Sequence, residues 1–439
     1  MTSTDPFELD TFPGNPKILF IGLGASTHTH AWIDLLSDSA FNIRLFAVPG
    51  GGLPPNHWAV RAYSCELLVQ LPAELDFSTR KTFYPCSSSL KKNPAYLLLL
   101  VGRKLLNAFA IVFGLPALRF DYLQMRGLAA SPEEWLAQVI QQWQPDIIHT
   151  FGLFDGQGGA YYYRVRERFG LQNIGKWVLQ LRGGSDIALT KYDPSASAQI
   201  VRAFTACDEI ITDNYANIEY IKWLGFGGKI SPVSPVPGTG GMDVPEPGEI
   251  LPPSMRERVI LWPKAYESKW SKSLPVLEAL RLAWKRIQPC RIILTAAAPE
   301  TREWLSALPE EIQNSCDVRE SVPREEMIAL MRTARIMLSP SLVDGVPNVL
   351  YEAMASGAFP ILSPLETILP IVKEPQNVLF ARNLYPQEIA DALVKAMQDD
   401  HLVDNTSVNN LQLVKTLSSR VYVSKNVITC YNNLLSLSV

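Results

Sequence analysis

From Lys17 onward, short unbroken apolar runs alternate with longer stretches whose apolar residues recur every three or four positions. "KILFIG" (17–22), "NIRLFAV" (42–48), "DIIHTF" (146–151), "KWVLQL" (176–181) and "EIIT" (209–212) are continuous and rich in β-branched residues. That is the pattern of parallel strands covered on both faces. Between them, "EEWLAQVIQQW" (133–143) and "ANIEYIKWLG" (216–225) carry helical periodicity, the second stopped by Gly225. The stretch "SPVSPVPGTGGMDVPEPGEILPPS" (231–254) holds too much proline and glycine for regular structure and reads as a linker. Beyond it the alternation restarts with "RVILWP", "LPVLEALRLAW", "RIILTAA", "EEMIALMRT", "ARIMLSP", "FPILS" and "QEIADALVKAM". Two successive βα runs across one breaker predict an α/β protein of two Rossmann-like, doubly wound domains facing a central cleft. The expected boundaries are 16–245, with a basic apolar insertion near 80–126, then 255–415, then a last helix, 416–439, crossing between the domains.

One helix in the second run is chemically odd. In "SLVDGVPNVLYEAMASGAFP" (341–360), Pro347 suits a helix start and Gly357 a helix end. Leu350, Ala353, Met354 and Gly357 make one packed face, while Asn348, Glu352 and Ser356 form a polar stripe. The surrounding residues leave little helix surface for water, so Glu352 is expected to be half-buried and to need hydrogen-bonding partners. The hydroxyls of a ligand, such as a ribose diol, would satisfy it without a cationic neighbour. Ahead of it, "DGVPN" sets free backbone N–H groups at a helix N-terminus, a ready anion site. Asp344 would be repelled by that anion unless it held something else, such as sugar hydroxyls. The loop "WPKAYESKW" supplies countercharge through Lys264 and Lys269. An anion flanked by polyols describes a nucleotide sugar, and two lysines plus a helix terminus could stabilise its diphosphate without a metal.

These segments resemble glycosyltransferase family 4. "SPSLVDGVPNVLYEAMASGAFPILS" is similar to that family's signature of two carboxylates separated by seven residues. "VILWPKAYESKWSKSLPVLEAL" is similar to its strand, phosphate-binding loop and helix. "ASTHTHAWIDLL", "PDIIHTFG" and "GGSDI" resemble its polysaccharide-building members. The resemblance implies a GT-B fold, with the donor in the C-terminal domain and the acceptor in the N-terminal one. It also implies transfer of a hexose with retention, no cofactor, and a nucleotide diphosphate sugar as co-substrate. Residue by residue, it implies that Lys264 and Lys269 grip the diphosphate, Asp344 holds sugar hydroxyls and Glu352 the ribose. Gly345, Val346, Pro347, Asn348 and Val349 would line the phosphate and hexose, and "VRESVPREE" would border the base. Acceptor-side candidates are Gly24, Ser26, His28, Arg182 and Asp186. The chain departs from the pattern at Pro263, where a glycine is usual, and at Lys264, where arginine is. Arg182 and Asp186 stand where many members have a histidine, and Glu366 and Thr367 where glycines are common.

Composition narrows the alternatives. With 439 residues, 40 Lys and Arg against 43 Asp and Glu, and a net charge of −3, the chain is too long for one core and has no general case for nucleic-acid binding. Its six cysteines are scattered, and its five histidines lack metal-ligand spacing, which suits a reduced, cytoplasmic protein. The first sixteen residues lack the character of a secretory signal, and Arg103, Lys104 and Asn107 interrupt the longest apolar stretch, arguing against a membrane span. Residues 80–126 hold eight basic residues against one acid. They read equally as a membrane-surface element at the inner membrane face or as a helical cover with solvated lysines. "IGLGAST" has Gly22 and Gly24 but Thr27 in place of a third glycine, and the second strand ends in "LFAVPG" without an acid, which disfavours a dinucleotide site. A lipid-linked or surface-polysaccharide acceptor is the leading expectation. A nucleotide-sugar epimerase and a non-catalytic nucleotide-sugar-binding partner protein stay open.

Overall fold

In this computed structural model, described for residues 5–55, 57–65, 79–82, 131–153, 157–183 and 194–436, the strands form two separate parallel sheets. The first contains β1 (Lys17–Gly22), β2 (Asn42–Ala47), β3 (Arg61–Ser64), β4 (Arg80–Thr82), β5 (Ile147–Phe151), β6 (Lys176–Leu181), β7 (Glu209–Thr212) and β8 (Lys229–Ile230). Their spatial order is β4-β3-β2-β1-β5-β6-β7-β8. The second contains β9 (Val259–Trp262), β10 (Arg291–Leu294), β11 (Cys316–Val318), β12 (Ile336–Ser339), β13 (Phe359–Leu362) and β14 (Leu379–Phe380), in the order β11-β10-β9-β12-β13-β14. The apolar runs became central strands because helices cover both faces; β1, β9 and β12 are buried along nearly their whole length. The short strands β3, β4, β8, β11 and β14 escape the apolar pattern. They are two to four residues long and are held by pairing with a neighbour rather than by their own hydrophobicity.

Each sheet reverses its order at one place: between β1 and β5 in the first, and between β9 and β12 in the second. Adjacent crossovers leave in opposite directions there, which opens a crevice at the carboxyl ends of the strands. Loops after β1, β5, β9 and β12 are therefore the ones that face each other.

A helix at Asp400–Ser418 precedes a further helix, Arg420–Ser436, that lies within the expected last helix, 416–439; between them Ser419 leaves the helical conformation and bridges to Met242. Val403 and Val414 of the first pack in the cores of the second domain. Val423, Val427, Tyr431 and Leu434 of the other pack with Ile18, Phe20 and Trp32 of the first. The Tyr431 hydroxyl accepts from Trp32 Nε1 at 3.2 Å and donates to His149 Nδ1 at 2.8 Å. Burial pushes His149 down to about 3, so it stays neutral. Among the described residues no helix is long and apolar enough to cross a membrane. Most of the basic stretch near 80–126, from residue 83 on, lies outside the described residues.

Candidate active site between the two domains

The crevices of the two sheets meet in a cavity of about 290 Å³. One wall comes from the first domain: Ser26 and His28 after β1, Phe151 and Gln157 after β5, Arg182 and Gly183 after β6, and Asp213 after β7. The other comes from the second: Lys264 after β9, and Asp344, Val346, Pro347 and Asn348 after β12. Every one of these side chains sits at or just beyond the carboxyl end of a parallel strand, where the chain must turn and side chains can leave the core.

Lys264 and Asp344 face each other, with Nζ 2.7 Å from Oδ2. Burial works to lower the lysine, but the Asp344 charge and hydrogen bond outweigh it and hold the ammonium above its ordinary value. Asp344 also accepts from its neighbour's N–H, Gly345 N, at 2.9 Å. The loop behind it is fixed by Thr367, whose hydroxyl donates to the carbonyls of Asp344 and Gly345 at 3.0 and 3.1 Å. The helix that follows, Asn348–Ser356, has Pro347 at its N-cap and no side-chain cap. It ends at Gly357, whose φ of +73° and close packing against Ile250 and Arg256 leave no room for a Cβ.

Glu352 corrects the expectation most sharply. It is only 6% exposed rather than half-buried, and it has a cationic partner: Arg324 Nε donates to its Oε1 at 3.1 Å. A carboxylate this deep needs compensation, and the helix Arg324–Thr333 supplies it from its first residue. Even so, burial raises the Glu352 carboxyl above its usual range, against the pull of Arg324 and Lys264. The Arg324 guanidinium is partly exposed, and its charge is felt by His28 across the cleft.

Lys269 is not brought to Lys264. It is exposed, its ammonium rests 4.8 Å from the Trp270 ring centroid, and it does not line the cavity. Gly345, Val349 and Glu352 also stand behind the cavity wall rather than in it, whereas Val346, Pro347 and Asn348 line it. On the opposite side, Ser26, His28 and Arg182 line it, and Gly24 does not. A Cβ on Gly24 would come within 2.2 Å of the Gly52 carbonyl oxygen, so that glycine serves a tight packing of loops. Asp186 lies outside the described residues. His28 Nδ1 is 3.4 Å from Asn348 Nδ2, and Arg182 donates to the His28 carbonyl at 3.3 Å. Desolvation by the cleft walls, with Arg182, Arg324 and Lys264 nearby, pushes His28 down to about 4, so its ring is neutral at pH 7.

Sequence reasoning missed Asp213, Arg324 and Gln157. Asp213 follows the strand "EIIT" directly, so the strand-end rule could have flagged it. Arg324 lies in "VRESVPREE", read only as a border to the base. Gln157, whose amide oxygen is buried with no hydrogen-bond partner, carries no local signal. Among the described residues no group of three or more His, Cys, Asp or Glu side chains is arranged to hold a metal.

The architecture is that of the GT-B class, two Rossmann-like domains meeting at a cleft. Residues 257–399, within the second domain, match the family described as glycosyl transferases group 1. No match is found among curated protein sequences. Among solved structures, the chain is similar to sucrose-phosphate synthase from Thermosynechococcus elongatus, at 13% identity and a TM-score of 0.65, over 96% of this chain and 100% of that one. It is similar to Anabaena HepE in complex with UDP-glucose, at 13% identity and a TM-score of 0.61, over 95% and 99%. It is also similar to the trehalose 6-phosphate synthase of Burkholderia multivorans, at 12% identity and a TM-score of 0.61, over 97% and 100%. At such identities these likenesses speak for the fold.

Proposed function

We propose that this chain is a retaining glycosyltransferase that moves a hexose from a nucleotide diphosphate sugar to a lipid-linked or surface-polysaccharide acceptor, with no metal and no cofactor. The observation that carries this reading is the Lys264–Asp344 pair on the wall of the interdomain cavity, beside the N-terminus of the Asn348–Ser356 helix. The group 1 match over the same segment and the UDP-glucose seen in the HepE structure support it.

In this reading the diphosphate takes Lys264 and the helix terminus, and Asp344 is released to accept sugar hydroxyls. The bond between the anomeric carbon and the phosphate oxygen breaks, and negative charge grows on the departing phosphate. A fixed ammonium and oriented N–H groups stabilise that charge because they need no reorganisation. The acceptor hydroxyl, entering past Ser26, His28 and Arg182, attacks the same face and gives its proton to the departing phosphate oxygen. Glu352 receives the ribose diol. Because Glu352 is already paired, the diol either shares it with Arg324 or displaces the guanidinium toward the base.

Incubation with uridine and guanosine diphosphate sugars separates the alternatives. Nucleoside diphosphate release that depends on an added acceptor supports transfer. An altered sugar still attached to its nucleotide means epimerisation, and binding with no turnover means a partner protein. The basic stretch near 80–126 adds a peripheral role at an anionic membrane face. Binding to vesicles containing phosphatidylserine should then weaken as salt rises, and binding that ignores salt removes that role.

A further inference from the structure

Among the described residues, Asp213 is the one acid on the cavity wall that belongs to the first domain. It is 6% exposed, and its carboxylate is aimed by two donors: Gly183 N to Oδ2 and Asn214 Nδ2 to Oδ1, both at 2.7 Å. These leave each oxygen with a further lone pair. Among the described residues no cation pairs with it, and the Asp344 charge across the cleft opposes its own. Glycine surrounds it on three sides. A Cβ on Gly345 of the second domain would stand 3.0 Å from Asp213 Oδ2 and 2.5 Å from the Cα of Gly183, and Gly238 is the third. The two domains touch at this point, with Asp213 and Asp344 on opposite walls. Gln157 adds an amide oxygen that is buried without a partner. Around Asp213 and Gln157 this part of the wall offers acceptors, which suit a ligand that donates.

We infer that Asp213 reads the transferred sugar: its carboxylate and that of Asp344 accept hydroxyls from opposite sides of the closed cleft, so the site takes a neutral, hydroxyl-rich sugar and rejects one bearing its own carboxylate. The inference rests on the donor-site reading above and goes beyond it by assigning sugar selection to a residue of the acceptor domain. A buried carboxylate without a cationic partner keeps acceptor capacity for a ligand's hydroxyls. This one has only neutral donors, and burial pushes it up to about 6.

The test is calorimetry on the full chain with UDP, UDP-glucose and UDP-glucuronate, in wild type and Asp213→Asn. If guanosine is the base taken, the matching probes are GDP, GDP-mannose and GDP-mannuronate. Wild type should bind the neutral sugar nucleotide at least fivefold more tightly than the acidic one. Asp213→Asn should keep the free diphosphate within twofold, lose at least fivefold on the neutral sugar, and narrow the discrimination. Gly345→Ala, whose methyl would prop the walls apart, should show the same selective loss if Asp213→Asn fails to fold. Equal binding of neutral and acidic sugars by wild type, or a shift in Asp213→Asn that is the same for diphosphate and sugar nucleotide, overturns the inference while the donor site stands. No binding of either free diphosphate by wild type overturns the donor site and the inference together.

Discussion

The two walls of the cleft treat their carboxylates in opposite ways. In the second domain each acid has a cation: Lys264 for Asp344 at 2.7 Å, and Arg324 for Glu352 at 3.1 Å. In the first, Asp213 has only neutral donors among the described residues. Under the proposed function the paired wall exchanges partners, because each cation released by its acid is a cation available to an anionic ligand. The unpaired wall carries a cost in folding and is suited to neutral donors. In the proposed reading, charge compensation divides the site into a half for phosphate and a half for hydroxyls.

The largest expected effect tests the paired wall. Lys264→Ala should lower acceptor-dependent diphosphate release by about 10² to 10³, the range for removing one charge-stabilising donor. Steady-state turnover measures it, and near-normal turnover would leave the diphosphate without its ammonium. Next comes Glu352→Gln, which should weaken nucleoside diphosphate binding about tenfold, as loss of a charged hydrogen-bond acceptor does. Unchanged affinity would move the ribose elsewhere. Arg324→Ala leaves Glu352 buried alone and should cost on the order of 1–2 kcal/mol in urea unfolding, discounted because the guanidinium is partly exposed. Adding Glu352→Gln should recover most of that, and additive losses would mean the pair is not coupled.

The unpaired wall predicts a gain. The fold raises the Asp213 carboxyl from 3.8 to about 6, so between those values the folded state holds a proton that the unfolded chain does not. That contribution is lost as pH rises through about 6, and above it the ionised, buried group costs stability. Asp213→Asn should therefore raise the melting temperature at pH 7.5 by several degrees and change it little at pH 4. A drop at pH 7.5 would show the charge to be compensated after all. The smallest effect belongs to Lys269→Ala: with its ammonium over Trp270 and away from the cavity, turnover should change less than about threefold. A loss equal to that of Lys264→Ala would show that Lys269 swings in when the diphosphate binds.

Much of the scaffold was legible. Continuous apolar runs marked the central strands, because a strand buried on both faces has no polar positions to spare, and the proline-rich segment at 231–254 lies between the last strand of the first sheet and the first of the second. The Asn348–Ser356 helix, with Asp344 just ahead of it, was legible for a different reason: loop, cap and helix are contiguous in the chain. The short edge strands were not, since two to four residues gain their order from a neighbour. Nor was the helix Asp400–Ser418 that runs up to Ser419, whose residues were not singled out as an element.

What the sequence determined by itself is the set of things that repeat or adjoin: strand and helix periods, two βα units, and one helix with an acid it could not solvate. What only the tertiary structure decided is which distant charges meet. Arg324 is 28 residues from Glu352, Lys264 is 80 from Asp344, and Asp213 reaches the site from a different sheet. A buried charge imposes a need for a partner that is written locally. The partner is chosen by strand order and by how the two domains close, and neither leaves a periodic trace along the chain.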